Sequence, residues 1–291
     1  MSSISGTNAR RLGGFGLAGL FAFLLSAPAG ATVTTRLRVI QDGTLWDVNP
    51  DTGSYNRLSS VGAWTGATSM AWAEPPDGAC SDPYAYIIQD SALYHVCLAS
   101  GSYTHVAGRS WGGPTAMTKG WDSGGVYIVQ GSYLWNGAPP CCAISGPDWP
   151  GTTAIANDAF TNLFLIGGNH LWRLTTNAPE GYTDLGGGWN GSLTPMTIHS
   201  GSLSQDDTRV YIVQNSRLWR VTRTGVATPL GGAVWAGATS IAIRDQASSL
   251  YIIQDSRLFT VDLSNDSGTY HQLGSAVWTG ATLMVVTETV S

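Results

Sequence analysis

The chain has 291 residues and a formal net charge of −5, with only 11% of residues charged. Lys119 is its sole lysine, and no basic run exists to neutralise phosphates, which excludes nucleic acid as a partner. Twelve Trp and eleven Tyr give it the core-forming residues that a disordered chain lacks, and the length suits one large all-β domain.

Residues 1–31 read as an export signal. Arg10 and Arg11 form a positive start, Leu12 to Leu25 an apolar run, and Ala29-Gly30-Ala31 a small-residue cleavage site. The apolar run is short for a bilayer span, so a cleaved signal is expected rather than an anchor. The Arg pair leaves both the general secretory and the twin-arginine route open. No segment of the mature chain, residues 32–291, is long and apolar enough to cross a membrane as a helix. A secreted, periplasmic or extracellular location follows, and four cysteines suit an oxidising compartment.

One pattern recurs along the rest of the chain: an apolar triplet, Gln, a short polar turn, then Leu and an aromatic. Its copies end in Gln41-Asp42, Gln89-Asp90, Gln130-Gly131, Gly167-Gly168, Gln214-Asn215 and Gln254-Asp255. The aromatics that follow are Trp46, Tyr94, Trp135, Trp172, Trp219 and Phe259. After each copy comes Trp-x-Gly-x-Thr, at Trp64, Trp111, Trp149, Trp235 and Trp278, with a shifted version at Trp189. Short apolar runs bounded by turn residues make four strands per unit. Six units of roughly 43 residues predict an all-β, six-bladed β-propeller of four-stranded blades. The mature chain starts on a second strand, Leu37–Gln41, and ends on a first strand, Thr282–Thr287. The two termini are therefore expected to share one blade, three strands plus one, which removes two open sheet edges.

The layout brings Cys80, in a strand 1–2 loop, beside Cys97, late in strand 3, so these two are expected to pair. Cys141 and Cys142 are placed in a strand 3–4 loop, where a vicinal disulfide is the second expected pairing.

Both recurrent patterns fall on one face of the ring. There, Trp64, Trp111, Trp149, Trp235 and Trp278 are candidate platforms for the apolar face of a sugar. Gln41, Gln89, Gln130, Gln214 and Gln254, with Asp42, Asp90, Asn215 and Asp255, are candidate partners for its hydroxyls. Repeated shallow sites gain strength through multivalency. The same recurrence also arises if each Trp packs between blades and each Gln ties backbone across a turn. The aromatics of the third strands are expected in the core. The central channel offers a ring of hydroxyls at one end (Thr68, Thr115, Thr153, Thr194, Thr239, Thr282). At the other end it offers a mixed set (Glu74, Asp158, His199, Arg244, Glu288). Neither is a metal-ligand or catalytic set, so no cofactor and no catalysis are expected.

The run Tyr-Ile-Ile-Gln-Asp-Ser-Arg-Leu at 251–258, followed by Gly-x-x-Trp-x-Gly-Ala-Thr, resembles tectonin-type lectin propellers across residues 37 to 287. The resemblance implies a non-catalytic protein that binds glycans or a cell-surface polysaccharide. The middle strands depart from it, with Gln-Asp-Ser-x-Leu-Trp where the tectonin repeat has a Trp-Gly-Val-Asn-like stretch. The alternatives are a cell-envelope or extracellular scaffold that holds a protein on its variable-loop face, and a hydrolase or lactonase acting at the channel mouth.

Overall fold

The computed structural model describes residues 32–73, 80, 83–113, 115–120, 125–137, 140–158, 160–176, 178–189, 195–200, 205–244, 248–264 and 267–290. Residues 1–31, expected from the sequence to be an export signal, lie outside the described residues.

The chain forms six four-stranded antiparallel sheets arranged as a β-propeller. Blade 1 joins the C-terminal strand Ala281–Val290 to Val33–Gln41, Thr44–Val48 and Tyr55–Arg57. Leu37 faces Val286 and Val39 faces Met284 across the junction of the two chain ends. Both terminal strands run longer than their apolar patterns suggest, pairing Val33 with Val290. Blade 2 is Ala67–Ala73, Tyr84–Gln89, Ala92–Cys97 and Tyr103–Val106. Blade 3 is Thr115–Lys119, Val126–Gln130, Ser132–Gly137 and Pro140–Trp149. Blade 4 is Ala154–Asn157, Asn162–Gly167, His170–Thr175 and Ala178–Gly187. Blade 5 is Met196–His199, Arg209–Gln214, Arg217–Thr222 and Ala227–Leu230. Blade 6 is Ala238–Arg244, Ser249–Gln254, Arg257–Asp262 and Tyr270–Gln272. Each first strand contacts the first strands of both neighbouring blades, so the six close a ring around a channel.

Every second strand is nearly all buried because it is covered on both sheet faces. Tyr84–Gln89 and Asn162–Gly167 carry unbroken apolar runs for this reason. The core is accordingly divided into six clusters, one between each pair of neighbouring blades.

The second and third strands join through two-residue turns in which both residues have positive φ, as at Asp90 (48°) and Ser91 (66°). This is the turn whose twist matches a hairpin, and glycine suits its second position. Blade 1 has that glycine, Gly43, whereas blade 2 places Ser91 there. A non-glycine in this region costs about 1 kcal/mol or more. Ser91→Gly is expected to raise the urea midpoint by an amount equivalent to about 1 kcal/mol.

Cys80 and Cys97 form a disulfide between the strand 1–2 connection of blade 2 and the end of its third strand. The backbone of Cys141-Cys142 lies within the strand Pro140–Trp149, not in a loop. That hairpin is irregular, with register shifts at Leu134, Trp135 and Gly137, so the strand resumes earlier than the composition suggests. The side chains of Cys141 and Cys142, and with them the expected vicinal bond, lie outside what is described.

Candidate functional site

The face that carries both recurrent patterns is a set of clasps. Trp149 ends the fourth strand of blade 3, paired with Ser132 of the turn, and each of the other five Trp connections bonds backward to the turn of the blade it leaves. The backbone N–H of Trp64 donates to Gly43 O (2.6 Å), Trp111 to Ser91 O (2.7 Å), Trp189 to Asn169 O (3.0 Å), Trp235 to Ser216 O (2.8 Å) and Trp278 to Ser256 O (2.7 Å). Glutamine bonds the same connection forward to the blade it enters. Gln41 Nε2 donates to Val277 O (3.0 Å) and Thr279 O (2.9 Å), and Gln254 Nε2 to Val234 O (3.0 Å) and Ala236 O (2.9 Å). Gln130 Nε2 reaches Ser110 O and Gly112 O, Gln89 Nε2 reaches Thr65 O, and Gln214 Nε2 reaches Gly188 O. An amide that flanks the indole on both sides pins it in place without sheet hydrogen bonds between blades.

In five of these connections the glycine has a positive φ, from 65° at Gly151 to 90° at Gly113. Gly280 has φ 72°, and a Cβ there would lie 2.1 Å from Asp42 Oδ1. At Gly66 and Gly237 a Cβ would meet Asp90 and Asp255 only at ordinary contact distance, 3.6 and 3.5 Å, so there the positive φ alone favours glycine.

These contacts correct the assignment of the Trp series to sugar stacking. Trp64 is 1% exposed, and Trp111, Trp149, Trp235 and Trp278 are each 2% exposed. Each indole fills the cluster between two blades, as Trp278 does among Leu37, Val39, Tyr251 and Leu273. No indole face remains for a ligand. In Gln41, Gln130 and Gln254 both hydrogens of the amide nitrogen are committed to backbone. Asp42, Asp90, Asn215 and Asp255 remain exposed at the turns. The order of burial is the reverse of the sequence expectation, since Trp46, Tyr94, Trp135, Trp172, Trp219 and Phe259 are only half-buried.

The exposed aromatic surface lies elsewhere, on the outermost strands. Tyr55 (49% exposed), Tyr103 (56%), Tyr182 (49%) and Tyr270 (51%) occupy one equivalent position. They face Val48, Val96, Leu174 and Val261 of the third strands. Each is held edge-on by two further rings. Tyr55 meets Trp46 at 5.5 Å and Trp278 at 5.6 Å; Tyr103 meets Trp64 at 5.1 Å and Tyr94 at 5.9 Å. Tyr182 meets Trp149 at 5.4 Å and Trp172 at 5.7 Å; Tyr270 meets Trp235 at 5.1 Å and Phe259 at 6.0 Å. Two residues on, the strand carries an exposed polar group opposite the third-strand aromatic: Arg57, His105, Asp184 and Gln272.

The groove of blade 4 is the most polar. His170 Nδ1 lies 3.1 and 2.9 Å from the two oxygens of Asp184. The Asp184 carboxyl is held below its usual range, first by the backbone N–H of Gly186 and then by His170. Blades 3 and 5 lack the platform. Ala227 stands at the tyrosine position of blade 5, and Pro229 faces Trp219. In blade 3 the Arg109 guanidinium sits 3.7 Å from the Trp135 ring centroid, with its Nε donating to Gln130 Oε1 at 3.1 Å.

Sequence reasoning missed these tyrosines. The signal is Gly-x-Tyr at Gly53, Gly101 and Gly268, shortened to Gly-Tyr at Gly181. A decoy, Gly131-Ser132-Tyr133, falls on a second-to-third strand turn instead.

The channel holds two cavities, of about 450 and 350 Å³. Thr68, Thr153, Thr239 and Thr282 line the smaller one, as the hydroxyl ring predicts. The side chain of Thr115, with Thr194 and Glu74, lies outside the described residues. At the other mouth, Lys119 Nζ rests 3.7 Å from the Trp72 ring centroid. The Asp158 carboxylate accepts the N–H groups of Phe160 and Asn162 and the Asn162 amide, which commits it to the loop. Arg244 reaches Asp51 at 3.3 Å and Glu288 at 4.0 Å. Among the described residues, no three His, Cys, Asp or Glu side chains converge, and no helix is long and apolar enough to cross a membrane.

No family model and no curated protein matches this chain. Its backbone is similar to a chain of the nidogen/laminin complex, with TM-score 0.64 and 13% identity, over 87% of this chain and 98% of that one. It is also similar to a TolB candidate from Agrobacterium tumefaciens, with TM-score 0.58 and 11% identity, over 89% of this chain and 99% of that one. At such identities the likeness establishes the β-propeller scaffold and nothing finer.

Proposed function

We propose that this chain is an exported, non-catalytic propeller that binds carbohydrate in the outer grooves of blades 1, 2, 4 and 6. The observation that carries this reading is the recurrence of a half-exposed tyrosine braced by two other rings. A braced ring loses little freedom when a sugar stacks on it, so less of the binding energy is spent on ordering. The polar side chain two residues on is placed to meet hydroxyls at the edge of that sugar. Because Arg57, His105, Asp184 and Gln272 differ in charge, the four grooves are related rather than identical. The Cys80–Cys97 disulfide supports an oxidising compartment.

The test compares the wild type with the combined Tyr55→Ala, Tyr103→Ala, Tyr182→Ala and Tyr270→Ala variant on an array of immobilised glycans. The tyrosines are exposed, so the variant is expected to keep its fold and lose binding. Multivalent attachment makes the combined loss about 100-fold or more, well beyond that of any single change. A folded quadruple variant that binds as the wild type does would remove the tyrosine grooves from the account.

A second reading rests on a different feature. Val61, Val234 and Val277 are strongly exposed on the clasp face, at the three consecutive junctions 1–2, 5–6 and 6–1. Three separate apolar side chains so placed would give a protein partner one contact at each of these junctions. The opposite face, where the sequence places a protein partner, is built largely of loops outside the described residues.

A further inference from the structure

The six inner strands place one residue each at a single equivalent level of the channel. These residues are Met284, Met70, Met117, Ile155, Met196 and Ile241, in ring order from blade 1 to blade 6. They stand opposite Val39, Ile87, Ile128, Leu165, Ile212 and Ile252 of the second strands. All six line both channel cavities, so they lie at the level where the two meet.

The chain has five methionines, and the four beyond Met1 all stand at this level. The rest of the core is built from Leu, Ile, Val, Ala and aromatic residues. Met70, Met117 and Met284 are buried, each at the channel end of a different inter-blade cluster, and Met196 packs against a fourth, so the position has a packing role in every blade. Ile155 and Ile241 occupy the same level in blades 4 and 6, so a branched aliphatic side chain fills the position and the ring still closes. What methionine adds is a polarizable sulfur with lone pairs on a side chain of three rotatable bonds. Thioether sulfur selects soft monovalent metal ions over hard ones, which demand oxygen ligands. Met284, Met70 and Met117 come from three consecutive inner strands, and Met196 comes from across the channel. Thr68, Thr153, Thr239 and Thr282 line the smaller cavity on one side of the ring and offer hydroxyl oxygens to a partly hydrated ion on its way in.

We propose that the methionine ring is a binding site for a soft monovalent cation, Cu(I) or Ag(I), held by thioethers at the level where the two channel cavities meet. The proposal concerns the channel and is independent of the sugar reading.

The test is competition for Cu(I) between the protein and bicinchoninate, with ascorbate as reductant so that the disulfide stays intact. It is run on the full chain carrying Cys141→Ser and Cys142→Ser, so that neither cysteine, whatever its redox state, competes as a Cu(I) ligand. The expected result is one Cu(I) per chain, displaced by Ag(I) and unaffected by Ca²⁺ or Zn²⁺. Combined Met70→Leu, Met117→Leu and Met284→Leu, which keeps side-chain volume, is expected to abolish the competition while circular dichroism and thermal unfolding stay near the wild type. Ile155→Met, which adds a thioether to the same ring, is expected to strengthen it. Absence of binding in the wild type overturns the proposal, as does equal binding in the triple leucine variant.

Discussion

Trp235→Ala lowers the free energy of unfolding by about 3–5 kcal/mol, the range for removing a fully buried large aromatic. The indole packs among Tyr211, Leu218, Ile241 and Leu250 between blades 5 and 6. It also braces Phe259 at 5.7 Å and Tyr270 at 5.1 Å. The loss spreads beyond the cavity itself. With the indole gone, the connection bonded to Ser216 O and to Gln254 loses the anchor between its two clasps. Urea unfolding followed by far-ultraviolet circular dichroism reads the change. Sugar affinity in the surviving folded protein is expected to fall through the loosened Tyr270, since the indole itself meets no ligand. A loss of sugar binding with no loss of stability would return Trp235 to the binding surface.

Removing the Cys80–Cys97 bond is the second large effect. The two cysteines are 17 residues apart. A loop of that size constrains the unfolded chain by about 3 kcal/mol. The bond ties the connection after the first strand of blade 2 to the last residue of its third strand, beside the groove of that blade: Val96 faces Tyr103, and the Cys97 N–H donates to Ser102 O at 2.8 Å. The double variant Cys80→Ala, Cys97→Ala is therefore expected to unfold about 3 kcal/mol earlier in urea, and any loss of glycan binding in the folded protein is expected to be confined to the Tyr103 groove, leaving those of Tyr55, Tyr182 and Tyr270 intact. A wild-type protein in reductant is expected to approach the same stability.

The repeat made the architecture legible from sequence. The apolar triplets are second strands, and the polar dipeptides are the turns after them. The ring can be closed on paper because the last apolar run is a first strand without partners of its own. The chemistry of the surface was less legible, for reasons that lie in the packing. Trp64 and its equivalents sit in connections, where aromatic side chains usually read as surface. Closing the ring lays the next blade over them. Trp46 and its equivalents sit inside strands, yet they are one strand from the blade edge and stay half-open. The tyrosines of the fourth strands vary in their spacing from the preceding glycine, and two blades lack them, so no single pattern gathers them. Pro140–Trp149 illustrates a different limit. Its register against Ser132–Gly137 shifts three times, and no alternation in the sequence marks where the strand begins.

The central claim is that the recurrent Trp and Gln are architecture while the outer tyrosines meet the ligand. The most direct test is a crystal structure of the protein soaked with a sugar that scores on the glycan array. The account predicts pyranose rings stacked on Tyr55, Tyr103, Tyr182 or Tyr270, with hydroxyls reaching Arg57, His105, Asp184 or Gln272. Sugar seated on the face of the Trp connections, or within the channel, would contradict it.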